Sequence, residues 1–306
     1  MEKFIPEIAV LIPCYNEELT IGTVIQDFQK YVPNGKIYVY DNNSTDETKR
    51  IAAEHGAIVR SECLQGKGNV VRRMFSDVDA DVYVMIDGDA TYDVKSVPEL
   101  IRILLSENLD MVVGARKETE QSCYRSGHRS GNKFLTKTVE LFLGQKLTDM
   151  LSGLRVFSKR YVKSFPANSA GFEIETELTV YALSRRLPIK EIDTCYYARP
   201  EGSFSKLSTY KDGVRILKTI IMLIKEEKPF LFFNLIALFF MLIGIVLIIP
   251  VMIEFINTGL VPRFPTAILS GILMVCSLVS FLIGLVLDSI TITRKELSRQ
   301  NYLKIR

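Results

Sequence analysis

Little net charge, few histidines and no paired cysteine spacing characterise this 306-residue sequence before any motif does. Lys and Arg total 38 against 35 Asp and Glu, a formal charge of +3, which argues against a nucleic-acid binder dominated by phosphate contacts. The two histidines, His55 and His128, read as surface or loop residues rather than catalysts. The five cysteines, at 14, 63, 123, 195 and 276, are odd in number and lack C-x-x-C spacing, so they read as reduced structural thiols. No internal repeat, low-complexity tract or signal-peptide pattern is present, and MEKFIPEIAV leads directly into a strand-like segment. A glycine-rich N-terminal phosphate loop, expected of a nucleotidyltransferase, is also missing; the chain reads IPCYNEE there.

Charge is absent in another sense from 230–253 and 265–287, which contain no charged side chain. Each is close to the ~20 residues a helix needs to cross a ~30 Å hydrocarbon layer, so two membrane spans are expected, not a pair of buried core helices. Lys218, Lys225 and Lys228 precede the first span; Arg294, Lys295, Arg299, Lys304 and Arg306 follow the second, whereas the intervening loop offers only Arg263. Basic residues stay on the cytoplasmic side. The expectation is an integral protein of the cytoplasmic membrane, with the hydrophilic part and both termini in the cytosol. Residues 211–225 place Val214, Leu217, Ile221 and Ile224 on one helical face and Lys211, Arg215, Lys218 and Lys225 on the other, as in a helix lying in the membrane interface. The sequence thus divides into a cytosolic domain over 1–210, an interfacial helix over 211–228, two transmembrane helices over 229–290 and a cytosolic tail over 291–306.

The first 115 residues alternate strand-like runs (8–13, 36–41, 57–60, 82–87, 110–115) with helical segments near 17–30, 46–55, 68–78 and 96–106; Ser44 and Thr45 stand where they can cap the second helix. Such alternation predicts an α/β fold, a mostly parallel sheet with helices on both faces. Beyond residue 115 the pattern loosens. ARKETEQSCYRSGHRSGNK reads as a mobile loop, 131–144 as a helix, and PIKEIDTCYYARP as a strand. Glu173, Glu175 and Glu177 alternate along a segment of unclear helical phase and read as support or surface.

In open α/β sheets, ligands bind beyond the carboxyl ends of the strands. Here those ends carry PCYNE (13–17), DNNS (41–44) and DGD (87–89). Two aspartates flanking one residue at a strand end can hold a hard divalent cation, which keeps waters and substrate phosphates among its oxygen ligands. Gly88 lets the backbone turn and a ligand approach. Asp41 can accept a hydrogen bond from a base N–H or a ribose hydroxyl. Together these features point to a nucleoside diphosphate bound through a metal.

PCYNEE, DNNSTDET, GKGNVVR and DGD, followed by GAR (114–116), SGLR (152–155) and RPEGSFSKL (199–207), resemble the landmarks of the inverting family 2 glycosyltransferases of GT-A fold. With the two C-terminal spans, the resemblance narrows to enzymes similar to dolichyl-phosphate mannose synthases and GtrB-type undecaprenyl-phosphate glucosyltransferases. It implies that Pro13, Tyr15, Glu17 and Asp41 hold the nucleoside. It places Asp87, with Gly88, near the ribose or metal, and gives Asp89 a direct bond to Mg²⁺ or Mn²⁺. Arg116, Arg129, Arg199 and Lys206 are implied to face phosphates. One departure stands out: these relatives usually read DADLQ, and DGDAT puts Thr91 where the glutamine helps hold the metal.

The implied reaction moves a hexose or N-acetylhexosamine from a nucleotide sugar, UDP favoured over GDP, to a membrane polyprenyl phosphate, for envelope glycan or glycoprotein assembly. A phosphate monoester, with a second pKa of about 6, is already an anionic nucleophile and needs no base. A hydroxyl on a glycolipid, the alternative acceptor, requires one. Asp149, in TDMLSGLR, is the candidate carboxylate near the reacting carbon, and a helix cap is its other reading. An inactive nucleotide-binding membrane scaffold is a third possibility, against which the intact Asp87, Asp89, Arg116 and Arg199 weigh. The spans also offer a surface for homo-oligomer assembly.

Overall fold

Alternating side chains in the apolar runs demand cover on two sides, and the chain supplies it with helices above and below one sheet. The computed structural model describes residues 5–118, 148–200, 202 and 209–305. Seven strands form the sheet: β1 (Ile8–Cys14), β2 (Gly35–Asp41), β3 (Ile58–Ser61), β4 (Val82–Met85), β5 (Met111–Glu118), β6 (Arg155–Ser158) and β7 (Ile189–Tyr196), in the order β3-β2-β1-β4-β6-β5-β7. β1 runs parallel to β2 and β4, β2 to β3, and β5 to β7, while β6 is antiparallel to both β4 and β5. The helices beside the sheet are α1 (Ile21–Tyr31), α2 (Thr48–Glu54), α3 (Lys67–Asp77), α4 (Val97–Ser106), α5 (Lys159–Ser164) and α6 (Ile174–Ser184).

Successive residues of β1 feed different cores. Val10, Ile12 and Cys14 join Val24, Ile25 and Phe28 of α1 and Leu100 and Leu104 of α4. Ala9 and Leu11 join Val70, Val71 and Met74 of α3, Tyr161 of α5 and Leu178 of α6. β6 is the strand that the sequence pattern does not announce. It has four residues, opens with an arginine, and takes its place only because β4 and β5 leave a gap between them.

α2 is not capped by Ser44 or Thr45 as expected. It starts at Thr48, and the Asp46 carboxylate accepts from the Thr48 amide at 3.1 Å, while Ser44 Oγ accepts from the Asn16 amide at 2.9 Å. The side chains nearest the helix start are drawn to the neighbouring loop after β1. The expected helix over 131–144, most of the expected loop before it, Cys123, His128, Arg129 and Lys206 lie outside the described residues.

The chain divides into two units, Met1–Ile220 with Arg299–Arg306, and Ile221–Ser298. Within the first, Asp110 is fully buried at the head of β5. Its Oδ1 accepts from Ser158 Oγ and from Arg160 Nε, both at 2.7 Å, and its Oδ2 accepts from the Tyr302 hydroxyl at 2.7 Å. The Arg160 guanidinium lies 5.3 Å from the Tyr302 ring centroid. A Tyr302→Phe substitution leaves Asp110 Oδ2 buried without this donor, an expected cost of ~1–3 kcal/mol. The check is thermal unfolding in detergent, where an unchanged midpoint would show that this bond contributes nothing.

α7 (Thr209–Glu227) runs from the first unit into the second. Ile216 and Ile220 of this helix are buried, while Val214 and Ile221, on the side expected to meet the membrane interface, are exposed. The helix carries more apolar residues than one stripe can hold, and the i, i+4 pair Ile216 and Ile220 is the side that finds cover.

α8 (Pro229–Thr258) and α9 (Phe264–Lys304) are long and apolar enough to cross a membrane. Ala237, Gly244 and Val251 of α8 and Ser270, Ser277, Gly284 and Thr291 of α9 recur at seven-residue intervals as the buried stripe. Ser270 Oγ donates to the Gly244 carbonyl and Ser277 Oγ to the Ala237 carbonyl, each at 2.8 Å. Small residues let the backbones approach, and hydroxyls satisfied by carbonyls suit an apolar phase. The outward side chains, Leu238, Phe239, Leu242, Ile272, Leu278 and Leu282 among them, are exposed and apolar.

Candidate active site

The parallel pairings bring the ends of β1, β2 and β4 to one edge of the sheet. β2 lies on one side of β1 and β4 on the other, so a crevice opens beyond β1 where the connections diverge. PCYNE, DNNS and DGD meet there. Asn16 and Asn43 take positive φ values of 53° and 63°, conformations that asparagine tolerates better than most residues. The loops after β1 and β2 are joined by the Asn16 amide to Ser44 Oγ, the Thr45 amide to Asn16 Oδ1 at 2.8 Å, and the Glu17 amide to Thr48 Oγ1 at 2.8 Å.

Asp41 ends β2 and is wholly buried. Its Oδ2 accepts from the Ser44 amide at 3.1 Å and pairs with Lys49 at 3.3 Å, while its Oδ1 is buried without a hydrogen-bond partner. A buried unpaired carboxylate oxygen is costly, and a ligand N–H or O–H entering the crevice would satisfy it. Pro13 is the penultimate residue of β1, and Tyr15, 39% exposed, stands at the rim. Glu17 is nearly buried, with its carboxylate 3.3 Å from Thr20 Oγ1, whose proton goes to the Gly88 carbonyl at 2.6 Å.

The DGD turn is tightly held. A Cβ on Gly88 would lie 2.8 Å from Cys14 Sγ, which is why this position needs glycine. Ala90 adopts φ 56°, an unfavourable conformation for alanine that turns the chain directly after Asp89. Asp89 is 4% exposed; its Oδ1 accepts from Thr91 Oγ1 at 2.6 Å and from the Thr91 amide at 3.2 Å, and its Oδ2 is paired with Arg199. Arg199 also lies 3.9 Å from Glu17. Asp87 Oδ1 is paired with Lys67, and Lys67 in turn reaches Glu175 Oε1 at 2.5 Å.

Carboxylates crowd the crevice floor, with Asp41, Asp87 and Asp89 each beside a cation. Burial pushes the Cys14 thiol well above its usual range, and Glu17, Asp41, Asp87 and Asp89 push it further. The Asp89 carboxyl is raised by burial first and by the Asp87 charge second, with Arg199 and Thr91 opposing. No cluster of three or more His, Cys, Asp or Glu groups suited to a metal forms among the described residues. Asp87 and Asp89 nevertheless fit the way Mg²⁺ and Mn²⁺ are held, by one or two carboxylates with waters and substrate phosphates filling the remaining positions. A cation there would also relieve the repulsion that raises Asp89.

Arg116 and Asp149 come together rather than acting at separate points. Arg116 Nε donates to Asp149 Oδ2 at 2.6 Å and Nη2 to Oδ1 at 2.7 Å, a two-pronged pair, and the guanidinium lies 5.5 Å from the Tyr196 ring centroid. Asp149 caps no described helix; its backbone amide donates to Glu191 Oε1 at 3.2 Å. Beside it, the Gly153 amide donates to the Tyr92 hydroxyl at 2.6 Å, and a Cβ on Gly153 would collide with the Asp87 carboxylate. Arg155 is completely buried, with Nη2 donating to the Met150 carbonyl at 2.6 Å and Nε to the Ser152 carbonyl at 3.0 Å, so it braces this turn from beneath.

Sequence reasoning gave no role to Lys67, Gly153, Arg155 or Tyr92. It also left open a surface reading for Glu175 and Glu177, which are each 4% exposed. Glu177 accepts from the Asn168 and Ser169 amides at 2.9 and 2.7 Å. The available signal was the lysine between two glycines in GKG. At Gly66 and Gly68 a Cβ would run into the carbonyls of Ala170 and Ser169, so both glycines serve close packing around Lys67.

An α/β protein with a carboxylate pair at the carboxyl edge of its sheet is the class that this arrangement defines. Residues 9–165 match the model of glycosyl transferase family 2, and the chain belongs to that family. It is 60% identical to Protein RfbJ of Shigella flexneri over 123 residues, which is 40% of this chain and 95% of that protein. It is 32% identical to Glycosyltransferase AglJ of Haloferax volcanii over 74% of this chain and 75% of that one. A dolichyl-phosphate hexose transferase of Haloferax volcanii is 26% identical, over 72% of this chain and 96% of that one. Among solved structures, glucosyl-3-phosphoglycerate synthase of Mycobacterium tuberculosis, in complex with Mn²⁺, UDP-glucose and phosphoglyceric acid, superposes with a TM-score of 0.60 at 23% identity, over 72% of this chain and 80% of that one. The fold is therefore GT-A, as the motif set implied, and the protein is a family 2 glycosyltransferase.

Proposed function

We propose that the protein transfers a hexose or N-acetylhexosamine from a nucleotide sugar, UDP-linked in preference to GDP-linked, to a polyprenyl phosphate in a membrane, inverting the anomeric carbon. The observation that carries this reading is the meeting of Asp41, with its unpaired buried oxygen, and the Asp87–Asp89 pair at one crevice. Two helices long and apolar enough to cross a membrane, and a relative named as a dolichyl-phosphate hexose transferase, support the lipid acceptor. The manganese and UDP-glucose in the structural neighbour support the donor and cofactor class.

Asp87 and Asp89 would hold Mg²⁺ or Mn²⁺, which when bound neutralises charge on a departing diphosphate. Asp41 Oδ1 accepts a hydrogen bond from the base or ribose, and Pro13, Tyr15 and Glu17 shape the same wall. Arg199 sits where a guanidinium can pass from the aspartate to a phosphate oxygen. Arg116, held by Asp149 and stacked over Tyr196, offers a fixed positive charge without paying reorganisation during the reaction. A phosphate acceptor arrives ionised, so positioning two anions side by side is the main task of the protein. The acceptor stays in the bilayer because withdrawing each buried CH₂ costs about 0.8 kcal/mol. By the basic residues flanking the spans, the catalytic part faces the cytosol.

Purified protein is to be incubated with Mn²⁺ or Mg²⁺, a panel of radiolabelled UDP- and GDP-sugars, and undecaprenyl or dolichyl phosphate. Label is expected in the lipid phase with at least one UDP-sugar, and in an acid-labile phosphosugar. No label with any donor, or label passing only to hydroxyl acceptors, overturns the proposal.

A further inference from the structure

Lys67 is an awkward residue for the place it occupies. It opens α3, whose first turn contains no acidic residue, so its charge faces the positive end of the helix dipole. Its side chain is only 9% exposed. Gly66 and Gly68 let the 169–170 backbone close over it, and the Asn69 amide ties that backbone down through the Ala170 carbonyl at 3.2 Å. Neither helix propensity nor solvation favours an ammonium here.

Tertiary partners account for it. Lys67 Nζ bridges Asp87 Oδ1 and Glu175 Oε1, the latter at 2.5 Å and itself buried on α6. The two carboxylates hold Lys67 firmly protonated against the burial that opposes its charge, while burial and Asp87 push Glu175 upward and Lys67 pulls it back. A buried ion pair is a poor source of stability, since desolvation consumes most of the attraction, but it fixes geometry. The geometry fixed here is that of Asp87. Lys67 holds one of its oxygens, and Gly153 leaves room for the other but not for a methyl group.

We propose that Lys67, anchored by Glu175, is a positioning residue that sets the orientation of the Asp87 carboxylate and through it the affinity of the site for a divalent cation with nucleoside diphosphate. The inference rests on Asp87 belonging to the donor site. Lys67 acts through Asp87 and not by touching the diphosphate, so its contribution should vanish when Asp87 can no longer respond.

The test is a Mn²⁺ titration followed by electron paramagnetic resonance in the presence of UDP, on wild type, Asp87→Asn, Lys67→Met, the Lys67→Met/Asp87→Asn double variant, and the neutral pair Lys67→Met/Glu175→Gln. Lys67→Met is expected to weaken Mn²⁺–UDP binding at least tenfold in the wild-type background and less than twofold in the Asp87→Asn background. The neutral pair, which leaves no buried charge unpaired, should fold and stay weak in binding. Lys67→Arg should recover most of the affinity. Recovery by the neutral pair shows a merely structural lysine and overturns the inference. An equal loss in both backgrounds shows direct contact with the diphosphate and overturns it too. If Asp87→Asn binds as wild type does, or wild type binds no Mn²⁺, it is the donor-site reading that fails, and the inference with it.

Discussion

Asp89→Ala is expected to reduce transfer by on the order of a thousandfold while the protein stays folded. The two effects separate because of what surrounds the side chain. Asp89 is 4% exposed, and burial together with Asp87 already disfavours its charge, so its removal also relieves an electrostatic cost. Its partner Arg199 has a side chain 27% exposed and keeps Glu17 at 3.9 Å, so the guanidinium is not stranded. Thr91 loses two hydrogen bonds, from its hydroxyl and its amide, and keeps its carbonyl bonded to the Tyr197 amide at 2.8 Å. Nothing compensates for the loss of a carboxylate at the metal site. Asp89→Asn, which keeps the shape but not the charge, is expected to fail nearly as badly. Initial transfer rates at saturating donor, beside thermal midpoints, make the check. More than a tenth of wild-type activity in either variant would remove Asp89 from the metal.

Gly153→Ala should damage the site through a single methyl group, with a fall in kcat/KM for the donor of roughly a hundredfold, the size of effect that a misplacement of about 1 Å produces. Gly153 is not among the glycines with positive φ, so alanine suits its backbone. The difficulty lies in the added carbon, which would overlap the Asp87 carboxylate and lie 2.8 Å from its Cγ. Retreat is blocked from both sides. The Gly153 amide is bonded to the buried Tyr92 hydroxyl at 2.6 Å, and Lys67 grips Asp87. The carboxylate must therefore rotate out of place. Gly213→Ala is the control, since a Cβ there meets nothing within 4 Å and alanine favours the helix by about 0.5–1 kcal/mol. Activity of Gly153→Ala within twofold of Gly213→Ala would mean that the orientation of Asp87 is unimportant.

Much of the catalytic unit was legible because its signals are local. The short β-rich apolar runs IAVLIP and VYVM, the helix-length segments between the strands, and polar clusters at the strand ends each lie within a few residues. β1, β2 and β4 accordingly fall within two residues of their expected ends. Asp41, Asp87 and Asp89 could be singled out because strand order in an α/β sheet sends successive carboxyl ends to one edge. The expected caps at Ser44 and Thr45 failed for the opposite reason. Those groups are claimed by Asn16, 28 or 29 residues away, and no nearby pattern records that bond.

What the sequence by itself determined is the alternating α/β architecture, the two apolar helices, and the family, through motifs whose chemistry depends on residue type and short spacing. Only the tertiary structure decided that β6 enters antiparallel between β4 and β5, that Arg116 closes on Asp149, that Gly153 abuts Asp87, and that Lys67 joins Asp87 to Glu175. An ion pair or a close approach between distant segments costs chain entropy that only the completed packing offsets, so it leaves no periodic trace along the chain.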